Sequence, residues 1–235
     1  MPLGLGISEA ASTSAGTSIT TAGATSTSGS AVVLGGTWTD TSNFTSFTDS
    51  NTNTWTQIQT ELTGAAHDSR SYYAQNITGG VGHTFTLTIN VSDFVSIWAV
   101  EATGAATTGV LDQSGRQDDV ASPFTSPAVT TVDADEFLVG FCLSDSTSNP
   151  ATHTAGNSFT KLDEIVNGID FWTGASAYRI VTATGTFNTT FTVLGAGAAH
   201  GWIATLKAVP ADGQSNYGTA SADPGLHMQI LARFP

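Results

Sequence analysis

The stretch AVVLGGTWTD (31–40) has an echo in EFLVGFCLSD (136–145), and this pair decides how the chain is read. After the first come NTNTWTQIQTE (51–61), SRSYYAQNIT (69–78), GHTFTLTIN (82–90) and FVSIWAVEATG (94–104). After the second come AGNSFTKLDEI (155–165), ASAYRIVTATG (175–185), NTTFTVLGA (188–196) and HGWIATLKAV (200–209), in the same order. The offset barely drifts: Asn53 to Asn157 is 104, Tyr73 to Tyr178 is 105, and Phe85 to Phe191 and Val100 to Leu206 are each 106. Chance similarity would not hold that spacing through five segments, so the chain reads as a tandem duplication.

Several segments alternate apolar and polar residues, as in Phe85, Leu87, Ile89 and in Phe191, Val193, which is the two-residue period of a half-buried strand. No segment carries a helical period. About ten strands over residues 31–208 predict an all-β, two-sheet antiparallel β-sandwich, jelly-roll-like, with pseudo-repeats 31–104 and 135–208. Composition agrees: 11% of residues are charged, 25 are glycine, and Thr and Ser fill much of the rest, as suits short strands and many turns.

Three segments lie outside the repeat. Residues 1–30 are rich in small polar residues and read either as a flexible arm or as edge strands. The joining region, Gly104 to Asp133, contains GRQDDVASPFTSPAVTTVD (115–133), whose two prolines predict a long connection with one edge strand near 128–132. Residues 209–235 read as a linker and a docking tail, because Leu226, Ile230 and Phe234 are spaced four apart and would share one helical face. That face would cover either its own sandwich or a partner subunit.

Six Lys and Arg against 19 Asp and Glu give a formal charge of −13, which repels a phosphate backbone and argues against nucleic acid as a partner. No run of about 18 apolar residues predicts a membrane span. The first residues lack the basic and apolar regions of an export signal. Cys142 stands alone in the apolar run EFLVGFCLS, so it reads as a small core residue and the fold must hold by packing.

The segments VVLGGTWTDT (32–41), DSNTNTWTQI (49–58), SYYAQNITGGVGHTFTLT (71–88), SIWAVEATG (96–104) and GWIATLKA (201–208) together resemble a β-sandwich family of tailed phages, prophages and bacterial surfaces. The resemblance spans roughly residues 15–208 and brings no catalytic residues with it. It implies a virion surface, fibre or adhesion role. The chain departs from the family pattern at Thr52, where relatives tend to have glycine before the turn asparagine; the second copy keeps Gly156 before Asn157.

Candidate sites are few. Asp49, Asn51 and Asn53 alternate like the start of an EF-hand loop, but the loop's glycine position is Thr54 and its bidentate-glutamate position is Thr60. They stay weak metal candidates beside the plainer reading of a polar turn ahead of an aromatic strand start. Asp112 with Asp118 and Asp119, and Asp133 with Asp135 and Glu136, read as solvated acidic loops or as a calcium bridge between loops. Trp55 is answered by Phe159, which suggests a core anchor, and Trp98 and Trp202 would fill the sandwich. Trp172, beside Gly174 and without a clear counterpart, is the candidate exposed aromatic for a glycan.

Neither a GxSxG elbow nor an HExxH run occurs, and Cys142 in an apolar strand is a poor thiolate, so no enzyme and no cofactor are expected, calcium being the one candidate ion. A glycoside hydrolase would need a carboxylate pair at a set separation, and scattered acids do not specify one. The expected function is that of a virion structural protein of a tailed phage, a capsid decoration or fibre component, self-associating and meeting other virion proteins at a virion surface or outside cells. A carbohydrate-binding or adhesion module and an extracellular filament subunit are the alternatives.

Overall fold

In the computed structural model, residues 1–64, 67–118, 121–146, 152–166, 172–193 and 196–210 are described. The first half holds β1 (Gly4–Thr20), β2 (Ala24–Ser26), β3 (Ala31–Thr39), β4 (Phe44–Asp49), β5 (Thr56–Gln57), β6 (Leu62–Thr63), β7 (His67–Ala74), β8 (Gly80–His83) and β9 (Phe85–Thr103). The second holds β10 (Leu111–Gln117), β11 (Phe124–Thr125), β12 (Val129–Thr130), β13 (Asp135–Ser146), β14 (His153–Ala155), β15 (Thr160–Val166), β16 (Trp172–Thr182), β17 (Thr186–Phe187), β18 (Thr190–Val193) and β19 (Ala196–Lys207).

Two large antiparallel sheets carry the fold, in the orders β1-β9-β3-β7-β5 and β10-β19-β13-β16-β15. Strand for strand these orders match. The short pairings match too: β4 on β9 is answered by β14 on β18, the end of β1 on β9 by β11 on β18, and β2 with β8 by β12 with β17. The structure is thus a duplicated, jelly-roll-like β-sandwich: among the described residues the two large sheets hold seven and five strands, β4 and β6 joining the first, and short strands fold over their outer faces.

The duplication reaches beyond 31–104 and 135–208. Residues 4–20 form an edge strand paired along β9 from Gly4 opposite Thr103 to Thr20 opposite Thr86. Its counterpart β10 lies in the joining region, and both carry the same irregularity, between Leu5 and Ser8 and between Leu111 and Ser114. Register also corrects one sequence match. Gly35 pairs with Trp98 as Phe141 pairs with Trp202, so the two tryptophans coincide and Val100 matches Ala204, not Leu206.

The apolar runs in β3 and β13 are continuous because both faces of each strand are buried. Val33, Phe137, Val139 and Phe141 point into a central core between the sheets, joined by Trp98 and Trp202. Val32 and Leu34 point outward beneath Phe47, Phe85 and Leu87, while Leu138 and Cys142 point outward beneath Phe124 and Phe191. At the centre Gly35 lies against its own counterpart: a Cβ there would stand 2.9 Å from the Phe141 ring, so one repeat omits a side chain where the other supplies a large one.

Candidate functional site

The turn at 49–53 is organised by one carboxylate. Asp49 Oδ1 accepts the Asn51 N–H at 2.7 Å, and its Oδ2 accepts the Asn53 N–H at 3.2 Å and the Trp55 indole N–H at 2.8 Å. Asn53 Oδ1 in turn accepts the Thr78 N–H at 2.7 Å, and Asn51 Nδ2 donates to the Thr78 carbonyl at 3.0 Å. The three alternating residues therefore spend their polar atoms on the turn and on the neighbouring loop, as Asx side chains do. Thr52 sits at their centre with φ 58°, the left-handed region in which a glycine would be at ease.

Beside this turn lies a groove of about 490 Å³ on the outer side of the first repeat. Phe44, Phe47, Trp55 and Tyr72 form its apolar wall, and Asp49, Thr52 and Asn53 its polar rim. Phe44 and Phe47 are three apart, which in a regular strand would send them to opposite faces. An irregularity between Phe44 and Ser46 where β4 pairs with β9 brings both to one side. Tyr72 stacks on Phe44 at 5.5 Å and meets Phe47 edge-on at 5.2 Å, and the Arg70 guanidinium lies 4.4 Å from the Phe44 ring centre. Arg70 is fixed by Glu61 at 2.8 Å. Phe44, Trp55 and Tyr72 are half-buried, so each keeps part of its surface for a ligand.

The second repeat builds the same strands but, among the described residues, does not repeat this lining. Its register places His153 where the first has Phe47, Ala155 for Asp49 and Ala177 for Tyr72. Phe159, the match of Trp55, is buried, so the shared aromatic position is a core anchor in one repeat and a groove wall in the other. Trp172 opens β16 opposite Asp145, and its side chain lies outside the described residues. Leu226, Ile230 and Phe234 also lie outside them.

Asp118 does not join Asp112. Its Oδ1 stands 3.0 Å from His200 Nε2, while Ser69 Oγ bonds His200 Nδ1 at 2.7 Å and accepts the Trp202 indole N–H at 3.0 Å. The residue types are those of a hydrolytic triad, but Ser69 and His200 have no exposed surface and the serine oxygen is held by the indole. The cluster ties the two sheets together. Asp118 beside Nε2 favours the neutral tautomer with its proton on that nitrogen, and the Ser69 hydroxyl then donates to Nδ1 while accepting from Trp202. Burial, reinforced by His67 and Arg116, holds the His200 pKa down to about 2.

Asp112 instead meets Asp133 and Glu136, each offering an oxygen within 4.8 Å of the others. Burial lifts the Glu136 carboxyl to about 7; Asp112 adds to the rise, while Thr205 and the Asp133 N–H oppose it. Among the described residues no helix is long and apolar enough to cross a membrane. No family model, characterised protein or solved structure matches the chain.

Proposed function

We propose that the protein is a non-catalytic recognition module of a surface or virion assembly, binding carbohydrate through the aromatic groove of its first repeat. The observation that carries this reading is that the second copy folds the same strands with alanine at the places of Asp49 and Tyr72, so the groove's lining is not a requirement of the fold. Aromatic faces take the apolar side of a pyranose ring, and the exposed Thr52 hydroxyl on the rim offers a donor and an acceptor to its hydroxyls. A glycan array followed by calorimetry tests it. Tyr72→Ala is expected to weaken binding about tenfold or more, while Tyr73→Phe, on the opposite face, leaves it unchanged. A wild-type protein that binds no glycan overturns the reading.

A second reading, self-association as a decoration or fibre subunit, is favoured by another place. Three of the exposed large apolar side chains, Met1, Ile180 and Val209, border one groove of about 520 Å³ at the end of the sandwich. Sedimentation of the full chain is expected to show an oligomer that Ile180→Asp disrupts. A wild type that stays monomeric at high concentration removes this reading.

A further inference from the structure

The same polar hole occurs in both repeats and is filled differently. In the first, Glu101 on β9 has no exposed surface and accepts the Ile7 N–H at 3.0 Å, the Thr27 N–H at 2.7 Å and the Ser30 hydroxyl at 2.6 Å. Gly6 makes room for it, since a Cβ there would overlap the Glu101 carboxylate. In the second repeat Thr205 stands at the Glu101 position and takes the Gln113 N–H at 3.1 Å, the match of Ile7. Asp112 replaces Gly6, Glu136 replaces Ser30, and Asp133 replaces Thr27. One carboxylate with three donors has become three carboxylates.

Donors do not keep pace with that change. Asp112 Oδ2 accepts the Val132 N–H at 2.8 Å, and Glu136 Oε1 accepts the Asp133 N–H at 3.3 Å. Lys207 Nζ lies 3.4 Å from Asp112 Oδ1 and 3.1 Å from Asp133 Oδ2, supplying one positive charge. Glu136 has no exposed surface, faces this cluster, and its Oε2 has no hydrogen-bond partner among the described residues; neither Thr205 nor Asp112 meets it in bonding geometry. A buried charged oxygen without a partner is costly and calls for an ion or a proton.

We propose that Asp112, Asp133 and Glu136 are the protein ligands of a calcium site that ties edge strand β10 to the start of β13. Oxygens at calcium's usual distance of about 2.3–2.6 Å can stand up to about 5 Å apart around one ion, so Asp112 on β10, Glu136 on β13 and Asp133 in the bend before it reach one ion by small side-chain shifts. Calcium accepts irregular carboxylate sets completed by water, whereas magnesium demands a tight octahedron. Lys207 is the competing cation and must swing aside when the ion enters. The fold itself does not require the cluster, because the first repeat closes the same hole with Glu101 alone.

The test is calorimetric titration of the chelator-treated full chain with calcium and, separately, magnesium, alongside thermal melts. Calcium is expected to saturate one site and raise Tm, with magnesium much weaker. Asp133→Asn, at an exposed position that folding tolerates, should weaken calcium binding about tenfold or more, and Lys207→Gln should tighten it several-fold. Two results overturn the site: no saturable calcium binding by the wild type, or equal binding by wild type, Asp133→Asn and Glu136→Gln. The first would leave a proton shared between Asp112 and Glu136 as the partner of the buried oxygen.

Discussion

The two repeats share a strand order and a central core, yet they place charge and aromatic surface differently. The first closes its polar hole with Glu101 and opens a groove around Phe44, Trp55 and Tyr72. The second fills the hole with Asp112, Asp133 and Glu136 and has Ala155 and Ala177 at groove positions. What both copies keep belongs to the fold; what only one copy has is free to serve something else. By that criterion the groove and the acidic cluster stand apart from the scaffold.

The hardest way to break the comparison is at Glu101. Glu101→Ala orphans the N–H groups of Ile7 and Thr27 and is expected to lower stability by about 3–5 kcal/mol in chemical denaturation. Thr205→Ala at the matching position should cost about 1 kcal/mol. Equal losses at the two positions would mean that the two holes are not equivalent.

Acid tests the His200 cluster that ties the sheets. The folded imidazole is held near 2, while the unfolded one takes a proton below about 6.5, so the unfolded state binds more protons as pH falls. Stability is therefore full above 6.5 and lost below it, at about 1.4 kcal/mol per pH unit. Asp68, which burial first and then Glu61 and Asp40 raise to about 6, works in the opposite sense between the ordinary carboxylate range and that value. Denaturation midpoints of wild type and His200→Gln between pH 7 and 4.5 isolate the imidazole: the variant should lose less on acidification. Parallel curves would count against a neutral buried His200.

A smaller difference separates the matched tryptophans. Trp202 donates to Ser69, whereas Trp98 faces Gly174, the match of Ser69, and its indole nitrogen has no partner among the described residues. Trp202→Phe is expected to cost about 1 kcal/mol more than Trp98→Phe, measured in the same denaturant series. The smallest change is at the turn: Thr52→Gly relieves a β-branched residue at φ 58° and should stabilise by about 1 kcal/mol, read as a rise in Tm.

Large alternating side chains made the duplication legible, and Phe85, Leu87, Ile89, Phe191 and Val193 are all buried as their period requires. β1 was ambiguous because ISEAASTSAGTSIT has few large apolar residues; it is held by its ladder to β9, and a strand's partner is not written in its own side chains. Asp112 and Asp118 are near in sequence, but six strand residues put them about 20 Å apart, so one meets Glu136 and the other His200. Tyr72 and Trp55 were visible as aromatics. That Phe44 joins Phe47 beside them depends on an irregularity in pairing, which side-chain periodicity does not encode.

Gly35 facing Phe141 has a consequence for how the halves recognise each other. Two copies of the first half would meet with glycine opposite glycine and leave a hole, and two copies of the second would drive ring against ring. At this position only the mixed pairing fits. A chain cut in the exposed turn at 107–109 therefore carries a built-in code for orthogonal reassembly, each fragment rejecting its own kind and accepting the other.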